Sequence, residues 1–373
     1  MLVRRVLWSF VVVLCVCLSA PGSALAQHTG KLRIAVVSSY HREYLWSQDT
    51  NRGVVAALLH FGWLDNVAEG DEYTRTDHVE SSRAVLLKLW MDTKRYNTQD
   101  EIKDTVARVV DALQSFHPDL ILLGDDNATN YIGNQYIDSA VPVVFWGVNG
   151  NPLKYGLVDS IATPGHNVTG VYQAGYLKEG VLWLQSLLPN IRRIAVLSDN
   201  SETGRSKAKE LLRLERQRRI AVHIVDTVIT DSYRTWQRRA LALQPKVDAF
   251  FVLNHNTLRD QRGEVVDQLV AGAWYLRHIH KPDIAQERQF VQEGMLCAVD
   301  DSGYKQGYEA VRIAHRILAE GADPAHISVY APDRGPFVIN LQRAKMLGLL
   351  SVMEHSPLVE EFIPEALALK ARP

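Results

Sequence analysis

Taken as a string of apolar and polar positions, the chain alternates short β-rich runs with longer stretches at helical spacing. Leu32 to Val37 is a β-rich run that ends in Ser38-Ser39-Tyr40-His41, and Asn51 to Phe61 carries Val54, Val55, Leu58 and Leu59 at helical spacing. The polar stretch with Glu72-Tyr73-Thr74 predicts a second strand. Ile102 to Phe116 predicts an amphipathic helix with Val106, Val109, Val110 and Leu113 on one face. Leu120 to Leu123 is a buried-type strand running into Gly124-Asp125-Asp126-Asn127, and Val141 to Trp146 is the next. Gly147 to Pro152 is then a turn-rich break.

The same units recur beyond the break. Val181 to Leu188, Ser206 to Gln217 and Tyr233 to Leu243 read as helices; Arg193 to Leu197, Ala221 to Val228 and Ala249 to Leu253 read as strands. Strands alternating with helices imply parallel sheets joined by crossover helices, and two successive halves imply two doubly wound α/β lobes. In the final third, Ser302 to Gly321 reads as one helix, Phe337 to Leu341 as a strand, and Met353 to Arg372 as a helical tail. These pieces are too few for a separate core, so they complete the two lobes.

The first residues change the picture of where the chain works. Arg4 and Arg5 precede an apolar run from Val6 to Leu18, and Pro21-Gly22 breaks it before Ala24-Leu25-Ala26. This order reads as a secretory signal peptide spanning 1–26, and the apolar run falls short of the roughly 20 residues a bilayer span needs. Without that segment one cysteine remains, Cys297, inside the apolar run Met295 to Val299, where it reads as a small buried hydrophobe. Formal net charge is -1, which offers no electrostatic ground for a nucleic acid or an anionic membrane as partner.

In open parallel sheets, ligands sit beyond the carboxyl ends of the strands. Those ends are polar here. The first half offers Ser39, Tyr40 and His41 with nearby Tyr44 and Trp46, then Asp125, Asp126 and Asn127; the second offers Asp199, Asn200, Ser201 and Thr203, then Asn254, His255 and Asn256. The mix suits a small polar solute with an apolar face, and helix N-termini favour an anionic group on it. Each residue also has a plainer role: Asp, Asn and Ser cap helices, aromatics pack, and lone histidines such as His41 and His255 are structural. Catalytic signatures are absent from the sequence: there is no Gly-x-Ser-x-Gly, His-Glu-x-x-His or Gly-x-x-x-x-Gly-Lys pattern. Asp125-Asp126 and Asp300-Asp301 are sequence neighbours whose side chains point apart, a poor acid–base pair. No enzyme activity, cofactor or metal is expected.

Pro142 to Val148, Asn167-Val168-Thr169-Gly170-Val171, Leu187 to Leu197 and Asn340 to Leu349 carry a resemblance that extends over nearly all of the chain after the signal. The chain resembles the ABC-type substrate-binding proteins related to the tryptophan/tyrosine-binding group, which have the type I periplasmic-binding-protein fold. Ser39-Tyr40-His41 with Tyr44 and Trp46, Met91-Asp92-Thr93-Lys94-Arg95, and Asp125-Asp126-Asn127-Ala128 are similar to a branch that also serves as the sensing part of histidine kinases and related signalling proteins. Met91 to Arg95 either contacts ligand or fixes the lobe surface. The first strand end departs from the tryptophan/tyrosine binders.

The resemblance implies three crossovers between lobes, with 31–146 plus 302–321 in the first lobe, 147–301 plus 326–350 in the second, and 351–373 as the helical tail. The implied ligand contacts are Ser39, Tyr40, Trp46, Asp125, Asp126 and Asn127 from the first lobe, and Asp199, Thr203, Asn254 and Asp300 from the second, with Tyr304 reaching in from the returning helix. The implied function is delivery of a periplasmic solute, an amino acid or related carboxylate first, to an ABC permease by a monomeric protein. The alternatives are a soluble sensor docking onto a membrane kinase or chemoreceptor and, further off, a periplasmic hydrolase.

Overall fold

The computed structural model describes residues 30–370, so the expected signal peptide lies outside the described residues. Two sheets organise the chain. The first has the order β2-β3-β1-β4-β5-β6, made of β1 (Leu32–Ser38), β2 (His78–Glu80), β3 (Ala84–Trp90), β4 (Leu120–Gly124), β5 (Val143–Asn149) and β6 (Val168–Gln173). All neighbours are parallel except β2 and β3. Its central strands are continuous apolar runs because both faces are covered. Even-numbered Ile34, Val36, Leu120, Leu122 and Val144 pack with Val54 and Leu58 of helix Leu45–His60 and Ala310 and Ile313 of helix Gly303–Leu318. Odd-numbered Ala35, Val37, Ile121, Leu123 and Phe145 pack with Val109 and Leu113 of helix Gln99–Phe116, the period-two alternation of a strand. That last helix starts at a capping box of Thr98 and Glu101.

Helices Leu45–His60 and Gly303–Leu318 cross at van der Waals contact of their backbones. A Cβ on Gly53 would lie 1.9 Å from the Tyr304 carbonyl oxygen, and one on Gly307 2.2 Å from that of Thr50. Only glycine fits there.

The second sheet has the order β13-β12-β11-β10-β9-β7-β8, with β7 (Arg193–Ser198), β8 (His223–Ile229), β9 (Ala249–Val252), β10 (Asp283–Ala285), β11 (Cys297–Val299), β12 (Phe337–Asn340) and β13 (Glu361–Ile363). Only β11 and β12 run antiparallel. Helices Leu177–Leu187 and Glu202–Arg216 cover one face through Val181, Leu184 and Leu211; Trp236 and Tyr275 of helices Tyr233–Leu243 and Gln268–His278 cover the other. Cys297 is buried in this core, and burial holds its thiol well above the usual range.

The chain passes between sheets three times: between Gln173 and Leu177, between Val299 and Gly303, and between Tyr330, which bridges Val171, and Phe337. Several boundaries differ from expectation. The first sheet continues through β6, so the first lobe runs to Gln173 and does not end at Trp146. Residues from 326 to Tyr330 stay with the first lobe, where the Ile327 carbonyl accepts from Thr169 Oγ1 at 2.7 Å. Among the described residues, 351–370 do not form a helical tail. After helix Leu350–Met353 this segment supplies β13 at the edge of the second sheet, since Pro357 and Pro364 break any longer helix. Glu72-Tyr73-Thr74 lies in helix Val67–Thr76, capped by Asn66 and anchored by the buried Tyr73 ring.

Candidate functional site

The carboxyl ends of both sheets meet at a cleft. On the first lobe, a set of hydrogen bonds ties three strand ends together. Ser39 Oγ donates to the Gly124 carbonyl at 2.6 Å and accepts from the Ala128 N–H at 2.8 Å. The Ser39 carbonyl accepts from Thr93 N and Oγ1, at 2.9 and 2.8 Å, and Thr93 Oγ1 accepts from Asn127 Nδ2 at 2.7 Å. Ser39 thus works as a fastener of strand ends, and Asn127 reinforces it while also edging an adjoining pocket. Their effect is to place the next side chains, Tyr40 and Lys94, on the cleft.

Asp125 and Asp126 point apart, as sequence neighbours do. Asp125 sits at φ 69°, a strained value for a residue with a side chain. Its Oδ1 accepts from Trp46 Nε1 at 2.7 Å, while Oδ2 is buried without a partner. Burial, reinforced by the neighbouring Asp126 charge, holds the Asp125 carboxyl well above the usual carboxylate range despite the Trp46 bond. Asp126 instead gathers the loop after β5: it accepts from Asn149 Nδ2 and the Tyr155 hydroxyl, each at 2.7 Å, and pairs with Lys154 at 2.9 Å.

On the second lobe, Asp199 is fully buried and organises the start of helix Glu202–Arg216. It accepts from Ser201 N at 3.1 Å and Thr257 N at 3.0 Å. Asn254 donates to the capping Ser201 hydroxyl at 3.2 Å, and Thr203 stands in the first turn, 3.5 Å from Asn149 Nδ2. Beyond β10, Gln286, Glu287 and Gln289 project toward the first lobe. Gln286 Nε2 donates to Glu287 Oε1 at 2.7 Å, and burial raises the Glu287 carboxyl.

The lobes touch across the cleft. Trp46 N donates to Gln289 Oε1 at 3.1 Å, Tyr44 OH accepts from Gln289 Nε2 at 2.7 Å and also from Asn256, and Arg259 donates to Asn97 at 2.6 Å. Between them lies a cavity of about 20 Å³, enough for roughly one water molecule. Its walls bring together Tyr40, Trp46, Asp125, Thr203 and Asn254 from the expected set. Two larger pockets border it, one of about 290 Å³ lined by Tyr40, Asp126 and Thr203, the other of about 650 Å³ lined by His41, Tyr44 and Asn256; both share Lys94 and Arg259. The cleft is closed.

Besides Ser39 and Asp199, which hold backbone and line none of these pockets, two further expected contacts fall elsewhere. Asp300 is buried at the second crossover, where its backbone pairs with Pro336 at 3.0 Å and Gly335 at 2.8 Å; with Asp301, which accepts from Gly175 N at 2.8 Å, it ties the three crossovers together. Tyr304 is 39% exposed and stacks on Tyr308, because helix Gly303–Leu318 turns its Gly303, Gln306 and Gly307 face inward. It does not line the cleft. Conversely, Lys94, Asn149, Gln173, Gln286, Glu287 and Gln289 line the cavity without having been singled out, although Lys94 lies in the Met91 to Arg95 segment. The polar run Gln286 to Gln289 directly after a strand was the available signal. Among the described residues, no group of three or more His, Cys, Asp or Glu is arranged to hold a metal ion.

Known proteins can be set beside this geometry. A family profile described as ABC transporter substrate binding protein matches residues 90–356. A tyrosine-binding protein of Clostridioides difficile (strain R20291) is 24% identical over 209 residues, 56% of this chain; the match spans 57% of that relative's length. A conserved domain protein from Vibrio cholerae superposes with a TM-score of 0.66 at 18% identity, covering 90% of this chain and 100% of that one. The ABC domain from Streptococcus pneumonia in complex with L-Trp gives 0.65 at 19% identity, again over 90% and 100%. A ligand-free, open substrate-binding protein from Clostridium difficile gives 0.63 at 18%, over 89% and 99%. At these identities the structures establish a shared two-lobed fold.

Proposed function

Because this chain belongs to the ABC transporter substrate-binding protein family, we propose that it closes its two lobes around a small polar solute in the periplasm and presents it to an importer of the ABC type. The observation that carries the reading is the chemistry of the closed cleft. A permanent interface between lobes satisfies its buried polar groups, since each one left unpaired costs about 1–3 kcal/mol. Here Asp125 Oδ2, Asn149 Oδ1, Gln173 Oε1 and Gln286 Oε1 are buried around the cavity without partners. Such a surface is suited to a guest that supplies the missing bonds. Binding energy spent on both rims would hold the closed form, and three crossovers tied by Asp300 and Asp301 supply the hinge.

An aromatic amino acid is the first candidate. Tyr40, Tyr44 and Trp46 form a buried aromatic cluster on the first rim, and the relatives named above include a tyrosine-binding protein and a domain bound to L-Trp. The protein performs no chemistry on the solute. Isothermal titration of the twenty amino acids, with native mass spectrometry of the freshly purified protein, tests the proposal. One-to-one binding with a ligand-dependent decrease in radius of gyration is expected. A chain that binds no solute and keeps one radius under all conditions would refute it.

A further inference from the structure

We infer that the polar end of the solute is a protonated nitrogen, seated against the carboxylates of Asp125 and Glu287 beside the ring of Tyr40. The inference rests on the solute-clamp reading and names the chemistry its cleft selects. It also departs from the anionic group that helix N-termini alone would suggest.

The fully buried unpartnered side-chain atoms around the cavity are hydrogen-bond acceptors, Asp125 Oδ2, Asn149 Oδ1, Gln173 Oε1 and Gln286 Oε1, and the one unpaired donor beside them is the Lys94 ammonium. Their residues are each at most 6% exposed. Two of these amides are oriented by chemistry. Asn149 gives its NH₂ to the Asp126 carboxylate, which also accepts from Tyr155 and pairs with Lys154, and Gln286 gives its NH₂ to Glu287, so in both the amide oxygen is the free end. A wall of acceptors is complemented by a group that brings donors alone. An ammonium, with three N–H bonds and no lone pair, is such a group; a hydroxyl brings an acceptor with every donor, and a carboxylate brings only acceptors.

Charge points the same way. Two carboxyl groups, Asp125 and Glu287, face the cavity with one ammonium, Lys94. The aromatic wall already receives a cation: Lys94 Nζ lies 4.4 Å from the centre of the Tyr40 ring and 5.3 Å from that of Tyr44. Among the described residues Lys94 makes no hydrogen bond or ion pair, which leaves its ammonium for an acceptor at the solute's other end. Burial raises both carboxyl groups even though the Lys94 charge, and for Glu287 also that of Lys207, pulls the other way. A ligand ammonium favours their ionised form, so binding releases protons and affinity rises with pH until the ligand's own nitrogen deprotonates.

The test is a thermal-shift and calorimetry panel on the purified protein with matched analogues. Amino acids, tyramine, tryptamine, putrescine and agmatine are compared with 3-(4-hydroxyphenyl)propionate, indole-3-propionate, and neutral sugars. The expected result is that every stabilising solute carries a protonated nitrogen and that replacing it by hydrogen or hydroxyl weakens binding at least about a hundredfold. Asp125→Asn and Glu287→Gln each weaken the same solutes about tenfold without lowering the melting temperature of the free protein. Titrations in buffers of different ionisation enthalpy, run over a range of pH, report net proton release on binding. Tight binding of a sugar or of a carboxylic acid lacking nitrogen overturns the inference and leaves the clamp standing. Absence of any binder in the panel, with none carried through purification, overturns both.

Discussion

The amide of Gln289 spans the cleft to Tyr44: its Nε2 donates to the Tyr44 hydroxyl at 2.7 Å, while its Oε1 accepts from Trp46 N at 3.1 Å. One second-lobe side chain therefore holds two neighbouring contact points on the first lobe. Each such bond is worth about 0.5–1.5 kcal/mol net, so together they bias closure by about 2 kcal/mol, roughly 30-fold. Gln289→Ala is expected to raise the population of open molecules, visible as a larger radius of gyration by small-angle scattering, and to weaken solute binding by up to that factor through faster release. Unchanged scattering and affinity would show that the bridge is incidental to closure.

A second prediction concerns Gly147, which follows Trp146 in β5. Its φ is 70°, and a Cβ there would stand 2.4 Å from Asp125 Oδ1, the oxygen that accepts from Trp46. Gly147→Ala combines the strain of a left-handed backbone with displacement of the Asp125 carboxylate, a cost of about 1–3 kcal/mol. The expected signature is weaker solute binding and altered intrinsic fluorescence from Trp46, with far-ultraviolet dichroism unchanged. Wild-type affinity in this variant would mean that the Asp125 position is not critical.

How much of this was legible beforehand depended on whether a local pattern exists. β1, β4, β5, β7 and β9 are apolar runs followed by polar loops, and these were readable because burial on both faces leaves an unbroken hydrophobic stretch. β3 was not, because Lys88 interrupts it. The structure buries that lysine with its Nζ 4.3 Å from the Tyr73 ring and bonded to Asn51, and burial lowers it to about 7. The aromatic and acidic parts of the cleft, Tyr40, Trp46 and Asp125, came from strand ends and could be located. The amides Asn149 and Gln173 could not, since only the tertiary arrangement gives them a common wall, while Gln286 and Gln289 carried a weaker local signal, a polar run directly after β10. Asp199 and Ser39 show the converse: the right residue types at the right strand ends, used to hold backbone.

Asp300 makes stability depend on pH. Burial first, then the Asp49 charge, raises its carboxyl to about 8. An unfolded aspartate titrates near 4, so between about pH 4 and pH 8 the folded state binds a proton that the unfolded chain does not. Stability falls as pH rises across that window, by about 2 kcal/mol between pH 6 and pH 8 from this group. Asp300→Asn keeps an acceptor for the local backbone and removes the titration. Urea denaturation at both pH values is expected to show a flatter dependence and a more stable variant at pH 8. Equal pH slopes in variant and wild type would contradict the assignment.

The pair Asp283 and Arg343 tests what a buried charge contributes in the second lobe. Both side chains are fully buried and 2.8 Å apart. Arg343 also donates to the carbonyls of Ile279 at 2.8 Å and Lys281 at 3.1 Å, while Asp283 accepts from Leu296 N at 2.6 Å. Removing one partner strands the other in a low-dielectric core, so Arg343→Met is expected to cost about 3–5 kcal/mol in chemical denaturation. Adding Asp283→Leu removes the stranded carboxylate and recovers part of that loss. Recovery stays incomplete because the two carbonyls and the Leu296 N–H, which the ion pair had satisfied, remain without partners. A double variant as stable as wild type would show that the pair contributes geometry but no net stability, and a single variant with less than about 1 kcal/mol of loss would show that water reaches the site.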